Sequence, residues 1–318
     1  MTTISAKTIL RSRNAAAPDK IVSTLLLRYP RWIHAEQHTH RVISLSEAED
    51  FDWEPSTPSL MADPALSRNA GSSRAVPTSK LIDDILADPA IPLFWGANQK
   101  GMQASTECDN EVTGIDGDYP FPRESAWRAA MESAIKFAMA FDAAGYHKQI
   151  VNRLLEPFSH ITVLVSATEW SNFLELRDHA DAEPHIAMLA REIRKCLEDG
   201  PIIDLQPGQW HLPFVTHDDT RFIVESAGPF RNALTMATAL SVARCASTSY
   251  KTVDGFDMTL ERAIAVHDKL LSSRPIHASP AEHICQADEP IGAGFWKNPR
   301  QHGNFVGFRQ YRHQLVAA

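Results

Sequence analysis

The chain has 318 residues, of which 44% are hydrophobic and 22% charged, with a formal net charge of −8. That balance suits a globular protein with a substantial core, and it leaves no overall basic field to recruit nucleic acid and no apolar run of membrane-spanning length. The four cysteines (Cys108, Cys196, Cys245, Cys285) are far apart and include no C-x-x-C pair, so neither a zinc knuckle nor a disulfide framework is expected and a reducing cytoplasm is the expected compartment.

In chain order, the first 18 residues hold no acid and read as a polar lead-in to the first strand. Residues 21–29 are β-rich and Pro30 closes that strand. Residues 31–41 read as helical. Residues 45–66 carry six acids, no bases and Pro55, Pro58 and Pro64, the pattern of an acidic solvated loop. A helix is predicted from Glu124 to Gly145, with Trp127, Met131, Ala134, Ala138 and Phe141 on one face. Ser166 to Glu169 reads as a capping box for a helix from Trp170 to Arg177. Pro184 opens the next helix, whose stripe of Ile186, Leu189, Ala190, Ile193 and Leu197 ends at Gly200. Two more helices are expected at about 229–246 and 259–272, with strand-like runs in 201–224 and 304–312. The mix implies an α+β fold, a single domain over residues 1–318 with long helices packed on a mainly antiparallel sheet and a loop insertion at about 45–66.

The sequence holds no G-x-G-x-x-G after a strand and no G-x-x-x-x-G-K-[ST], so neither a Rossmann site nor a P-loop is indicated. No cysteine stands in a setting that marks a nucleophilic thiol. His34, His38 and His40 form an H-x3-H-x-H cluster, but no acid or cysteine follows at ligand spacing and Arg41 would repel a cation, so no metal is assigned.

Three blocks carry more information. The first is Thr39-His40-Arg41-Val42-Ile43-Ser44, resumed after 23 residues by Arg68-Asn69-Ala70-Gly71-Ser72-Ser73-Arg74. The second is H-K-Q-I-V-N-R-L-L-E-P at 147–157, followed by S-A-T-E-W-S-N-F-L-E-L-R at 166–177. The third is V-A-R-C-A-S-T-S-Y at 242–250, followed by H-A-S-P-A-E-H at 277–283. Together they resemble the flavin-dependent thymidylate synthases, whose motifs are R-H-R, seven residues and S-x-R; A-R-x-x-L-P with N-F-L-x-L-R; and A-R-V-S-[FY] with H-x-[ST]-P-F-E-H. The order here is circularly permuted, because the third block normally comes first. Thr39, Ala70, Ser166, Thr168 and Ala281 depart from the usual residues, and Glu36 stands where a nucleotide-contacting glutamine is usual.

The resemblance implies a fold like that of the thymidylate synthase-complementing proteins. It implies C5 methylation of dUMP with FAD, NADPH and methylenetetrahydrofolate, in a homotetramer whose sites draw on several subunits; Ala70-Gly71 in place of a bulky acid and Glu36 in place of a glutamine extend the expectation from dUMP to UMP. Pyrimidine nucleotide and folate are then the partners, with no nucleic acid and no membrane. Glu36, Ser72, Ser73, Arg74, Arg153 and Arg177 correspond to substrate-binding positions, Arg153 reaching the phosphate from a neighbouring subunit. Thr39, His40, Arg41, Asn69, Ser166, Thr168, Asn172, Ser249, Ser279 and Glu282 correspond to cofactor-binding ones. Arg177, Ser72 and, in a supporting role, His277 correspond to catalytic ones. A guanidinium fits such chemistry, since negative charge grows on the ring carbonyls when carbon is added at C5. C5 hydroxymethylation, or binding of flavin and nucleotide without turnover, are the alternatives.

Overall fold

The computed structural model describes residues 2–37, 67–70, 73, 76–101, 103–113, 119–227, 232–247, 258–272, 279–292 and 294–316. The strands are β1 (Ser5–Asn14), β2 (Ala17–Pro30), β3 (Ser67–Ala70), β4 (Val112–Thr113), β5 (Pro120–Phe121), β6 (His160–Ala167), β7 (Ile203–Leu205), β8 (Trp210–His211), β9 (Cys285–Ala287), β10 (Pro290–Gly292), β11 (Phe295–Trp296) and β12 (Phe308–Gln310). The helices are α1 (His34–Gln37), α2 (Thr78–Ala87), α3 (Arg123–Ala143), α4 (Lys148–Val151), α5 (Ser171–Arg177), α6 (Pro184–Asp199), α7 (His217–Ser226), α8 (Ala233–Ser247), α9 (Leu260–Ser272) and α10 (Tyr311–Val316).

Among the described residues the largest sheet has the order β3-β6-β2-β1-β7 and is antiparallel except for the β1/β7 pair. This is the expected α+β architecture. β6 and the middle of β2 are buried on both faces, and there the polar Ser23 and Thr24 are buried along with the apolar Val22, Leu25 and Leu27. Alternate residues sort between two cores. Leu25, Leu27, Tyr29, Ile161, Val163 and Val165 meet the α6 stripe of Ile186, Leu189, Ala190 and Ile193. From the opposite face Leu164 meets Val242 and Cys245 of α8, together with Ala281 and Ile284. A separate cluster joins α2 to α3 through Leu81, Ile85, Met131, Ile135 and Ala138.

Several sequence expectations are corrected. The first residues are not a lead-in but β1, paired with β2 over nearly its whole length. Three of its polar side chains, Arg11, Ser12 and Asn14, are buried with partners remote in sequence: Arg11 donates to Gly200 O (2.8 Å) and Asn14 to Asp288 O (2.8 Å). A side chain at Gly200 would strike Cys196 O at 2.6 Å and Thr8 Oγ1 at 2.9 Å, so glycine lets α6 end directly against β1. Ser166 does not open a capping box, because it lies inside β6, and α5 starts without a side-chain cap. The capping box is instead Thr216–Asp219, which turns part of the strand-like 201–224 region into α7. In the 304–312 run, β12 gives way to α10 at Tyr311. Phe141, assigned to the buried face of α3, is 38% exposed, and Ile135 takes the buried position.

Candidate functional site

β6 is the spine on which the separated blocks meet. β3, from the first block, pairs along it from Ser67 opposite Ser166 to Ala70 opposite Val163. The 3-10 turn Ser279–Glu282, from the third block, packs on β3 and on α8. Ala281 is fully buried in that contact. Segments more than 200 positions apart therefore meet at one edge of one sheet.

Beneath that junction runs a chain of buried hydrogen bonds. Ser12 Oγ meets His211 Nδ1 (2.8 Å), and His211 Nε2 meets Thr24 Oγ1 (2.8 Å). Thr24 then meets Ser166 Oγ (2.6 Å), and Ser166 meets His283 Nδ1 (2.9 Å). His211, Thr24, Ser166 and His283 have no accessible surface. Burial holds both imidazoles neutral, at about 3, with His283 adding to the effect on His211. Ser166, expected at the cofactor, is thus a core residue whose hydroxyl is engaged twice inside the protein. Thr168 Oγ1 accepts from Val306 N (3.0 Å).

A second group of polar residues lies around the turn that follows β2. Arg177, the last residue of α5, donates to Glu36 Oε1 of α1 at 2.8 Å. Asp178 anchors the same helix end to α6 through Arg191 (3.1 Å) and Arg194 (2.8 Å), and the bond from Arg194 leads in lowering its pKa. Ser73, 5% exposed, donates to Glu156 Oε1 at 2.6 Å. Arg153 Nη1 reaches the same carboxylate at 3.1 and 3.3 Å. Asn152 fixes the Ser73 turn by donating to Ser73 O (2.7 Å) and Val76 O (3.0 Å). Arg31 lies close by: burial lowers its pKa, Glu156 and Tyr29 oppose that, and Arg153 adds to it. Arg31 and Glu36 belong to one short stretch, a 3-10 turn running into α1, so both clusters hang on the same piece of chain.

Of the other expected site residues, Asn172 is exposed in the first turn of α5. Ser279 is half-buried at the start of its turn, and Glu282 is ion-paired with Arg312. Asn69 is placed as a β3 residue between Arg68 and Ala70. Thr39, His40, Arg41, Ser72, Arg74, Ser249, His277 and the acidic segment 45–66 lie outside the described residues, as do His38 and His40 of the histidine cluster. His34 of that cluster bonds the Tyr29 hydroxyl (2.8 Å). Sequence reasoning missed Arg31, Asn152, Glu156, His211 and His283 as parts of these arrangements. Glu156 had a signal, since it stands where the resembled A-R-x-x-L-P motif has leucine. Burial raises the thiol pKa of both Cys245 and Cys285, which removes them as nucleophiles near neutral pH. No helix among the described residues is long and apolar enough to cross a membrane.

No family model and no curated protein matches the sequence. Among solved structures, the chain is similar to a UMP/dUMP methylase, PolB from Streptomyces cacaoi, bound with 5-Br UMP. That similarity has a TM-score of 0.38 at 12% identity, covering 62% of this chain and 89% of that one. The same methylase bound with 5-Br dUMP gives a TM-score of 0.36 at 12% identity, with 62% and 90% covered. Likeness at that level carries no weight on function, which rests on the site itself.

Proposed function

We propose that this chain is a flavin-dependent methylase of the C5 position of a uridine monophosphate, a circularly permuted relative of the flavin-dependent thymidylate synthases. The observation that carries this reading is contact between residues assigned to the nucleotide from different motifs. Glu36 holds Arg177, and Ser73 joins Arg153 through Glu156. Nothing in the sequence order requires those pairs to meet.

In this reading Arg177 lies against the pyrimidine ring, with its guanidinium plane fixed by Glu36, and stabilises charge developing on the ring carbonyls. Ser73 and Arg153 serve the phosphate. Arg153 and Ser73 are neighbours within one chain here, so the phosphate contact need not wait for a second subunit. With both buried thiols held protonated, covalent attack on the ring falls to neither of them.

The fit to FAD is partial. Asn172 is exposed and Ser279 half-buried, whereas Ser166 is sealed in the core and acts on the site only by setting β6 and His283. Bound FAD, with methylenetetrahydrofolate and NADPH, supplies the one-carbon transfer and reduction that no side chain here can perform. A homotetramer accords with the large apolar side chains left exposed on α3 and α4, Phe137 (64%), Met139 (57%) and Ile150 (56%).

The engagement of Ser166 and Thr168 elsewhere favours one second reading, a relative that binds flavin without turnover. Reconstitution with FAD followed by stopped-flow bleaching with NADPH separates the two. The methylase becomes yellow and bleaches within its turnover time; a yellow protein that NADPH does not reduce is a binding module, and a protein that retains no FAD rules out both.

A further inference from the structure

We propose that Glu156 is the resident counter-ion of an anion site built from Arg31, Ser73 and Arg153, and that a phosphate monoester binds by displacing its carboxylate. The phosphate belongs to the nucleotide in the function proposed above, and the inference rests on that reading.

The Glu156 carboxylate already sits where an anion would be held. It accepts from the Ser73 hydroxyl at 2.6 Å and from Arg153 Nη1 at 3.1 and 3.3 Å, and the half-buried Arg31, whose backbone N donates to Ser159 O at 2.9 Å, stands beside the same turn, where the carboxylate favours its charge. Two of the three donors, Ser73 and Arg31, are fixed independently of it. Asn152, with no exposed surface, holds the Ser73 turn through two backbone carbonyls, and Arg31 Nε donates to Ser159 Oγ (3.3 Å). The backbone of Glu156 is fixed as well, since its carbonyl accepts from Ser159 N (3.2 Å) and Ser159 Oγ (3.0 Å) and Pro157 follows it. Only its side chain is left to swing.

The Arg153 side chain is 60% exposed and that of Glu156 23%, so the pair opens to solvent and a ligand can reach it. A partly exposed ion pair three residues apart, bridging two successive 3-10 turns, is weakly held and readily exchanged. A phosphate dianion brings more acceptor oxygens and twice the charge to the same donors. With Glu156 in place, however, the two arginines and the carboxylate sum to a single positive charge. The acid therefore opposes any dianion and sets the affinity of the site. Its release is what phosphate binding must achieve.

The test is titration calorimetry on the full chain and on Glu156→Gln and Glu156→Ala, with UMP, uridine and inorganic phosphate as separate probes. Removing the negative charge should tighten UMP and inorganic phosphate by at least about tenfold, while uridine is unaffected. Glutamine can still accept from Ser73, and alanine tests displacement without that bond. Circular dichroism establishes that both variants are folded. UMP binding in the wild type with no gain in either folded variant overturns the inference and leaves the methylase reading standing. Tighter inorganic phosphate with no UMP binding in any form supports the counter-ion role and removes the nucleotide.

Discussion

Taking the protein from pH 7 to pH 5 should cost about 4 kcal/mol of folding stability through two side chains, His211 and His283. In the native state each is fully buried and takes up a proton only near 3, whereas an unfolded histidine does so near 6.5. The unfolded chain therefore binds more protons throughout that interval, and acid favours unfolding. The stability is fully present above about 6.5 and is lost progressively as the pH falls toward about 3. At pH 5 each group has forfeited about 2 kcal/mol. His160, which burial and then Arg28 lower to about 4, acts in the same direction. The lowered carboxylates, such as Asp219 at about 2, matter only below this window; there burial alone would raise the value, but the bonds from Arg244 and Thr216 prevail. Urea unfolding at pH 7 and pH 5 measures the difference. His211→Gln keeps an amide for Ser12 or Thr24 and should roughly halve the pH-dependent loss from the pair. Stability that falls by less than about 1 kcal/mol over this range would refute the claim that the two histidines of the chain from Ser12 to His283 are buried and neutral.

Arg177→Lys keeps the charge but loses the planar donor set that Glu36 orients, so turnover should drop at least about tenfold, ~1.4 kcal/mol, with flavin content unchanged. Wild-type turnover in that variant would make Arg177 a strut between α5 and α1. Asn172→Ala, at an exposed position, should leave the unfolding midpoint in place but weaken retention of FAD on gel filtration. Ile186→Ala, fully buried between α6 and the sheet, should lower unfolding stability by about 2–5 kcal/mol in urea titrations. The kcat/KM values for UMP and dUMP should lie within about 100-fold of each other, because a roomy pocket rejects an added hydroxyl only weakly; undetectable UMP turnover beside efficient dUMP turnover would show a pocket closed to the 2′-hydroxyl.

Periodicity made α6 and β2 legible, since their neighbours are packed on the faces their own side chains dictate. β1 was not, because Arg11 and Asn14 look solvent-facing until Gly200 and Asp288 arrive from the far end of the chain. The Ser166-to-Glu169 spacing suits a cap in isolation, but pairing with β2 and β3 keeps Ser166 in strand, while the equivalent signal at Thr216–Asp219 does cap a helix. Spacing alone cannot separate the two, because only tertiary pairing distinguishes them. The candidate site was legible as residue types in motifs; what the motifs could not supply was which acid faces which base. Glu36 against Arg177, and Glu156 between Ser73 and Arg153, are products of packing. The five-membered chain from Ser12 to His283 likewise draws on five separate segments and leaves no periodic trace.

The central claim is that these converging segments build a site for C5 methylation of a uridine nucleotide. Mass spectrometry of the nucleotide after incubation with FAD, NADPH, methylenetetrahydrofolate and either dUMP or UMP tests it most directly. The expected product is heavier by one methylene group, requires every cofactor and vanishes in Arg177→Ala. A protein that holds FAD and is reduced by NADPH, yet returns both nucleotides unchanged, would contradict it.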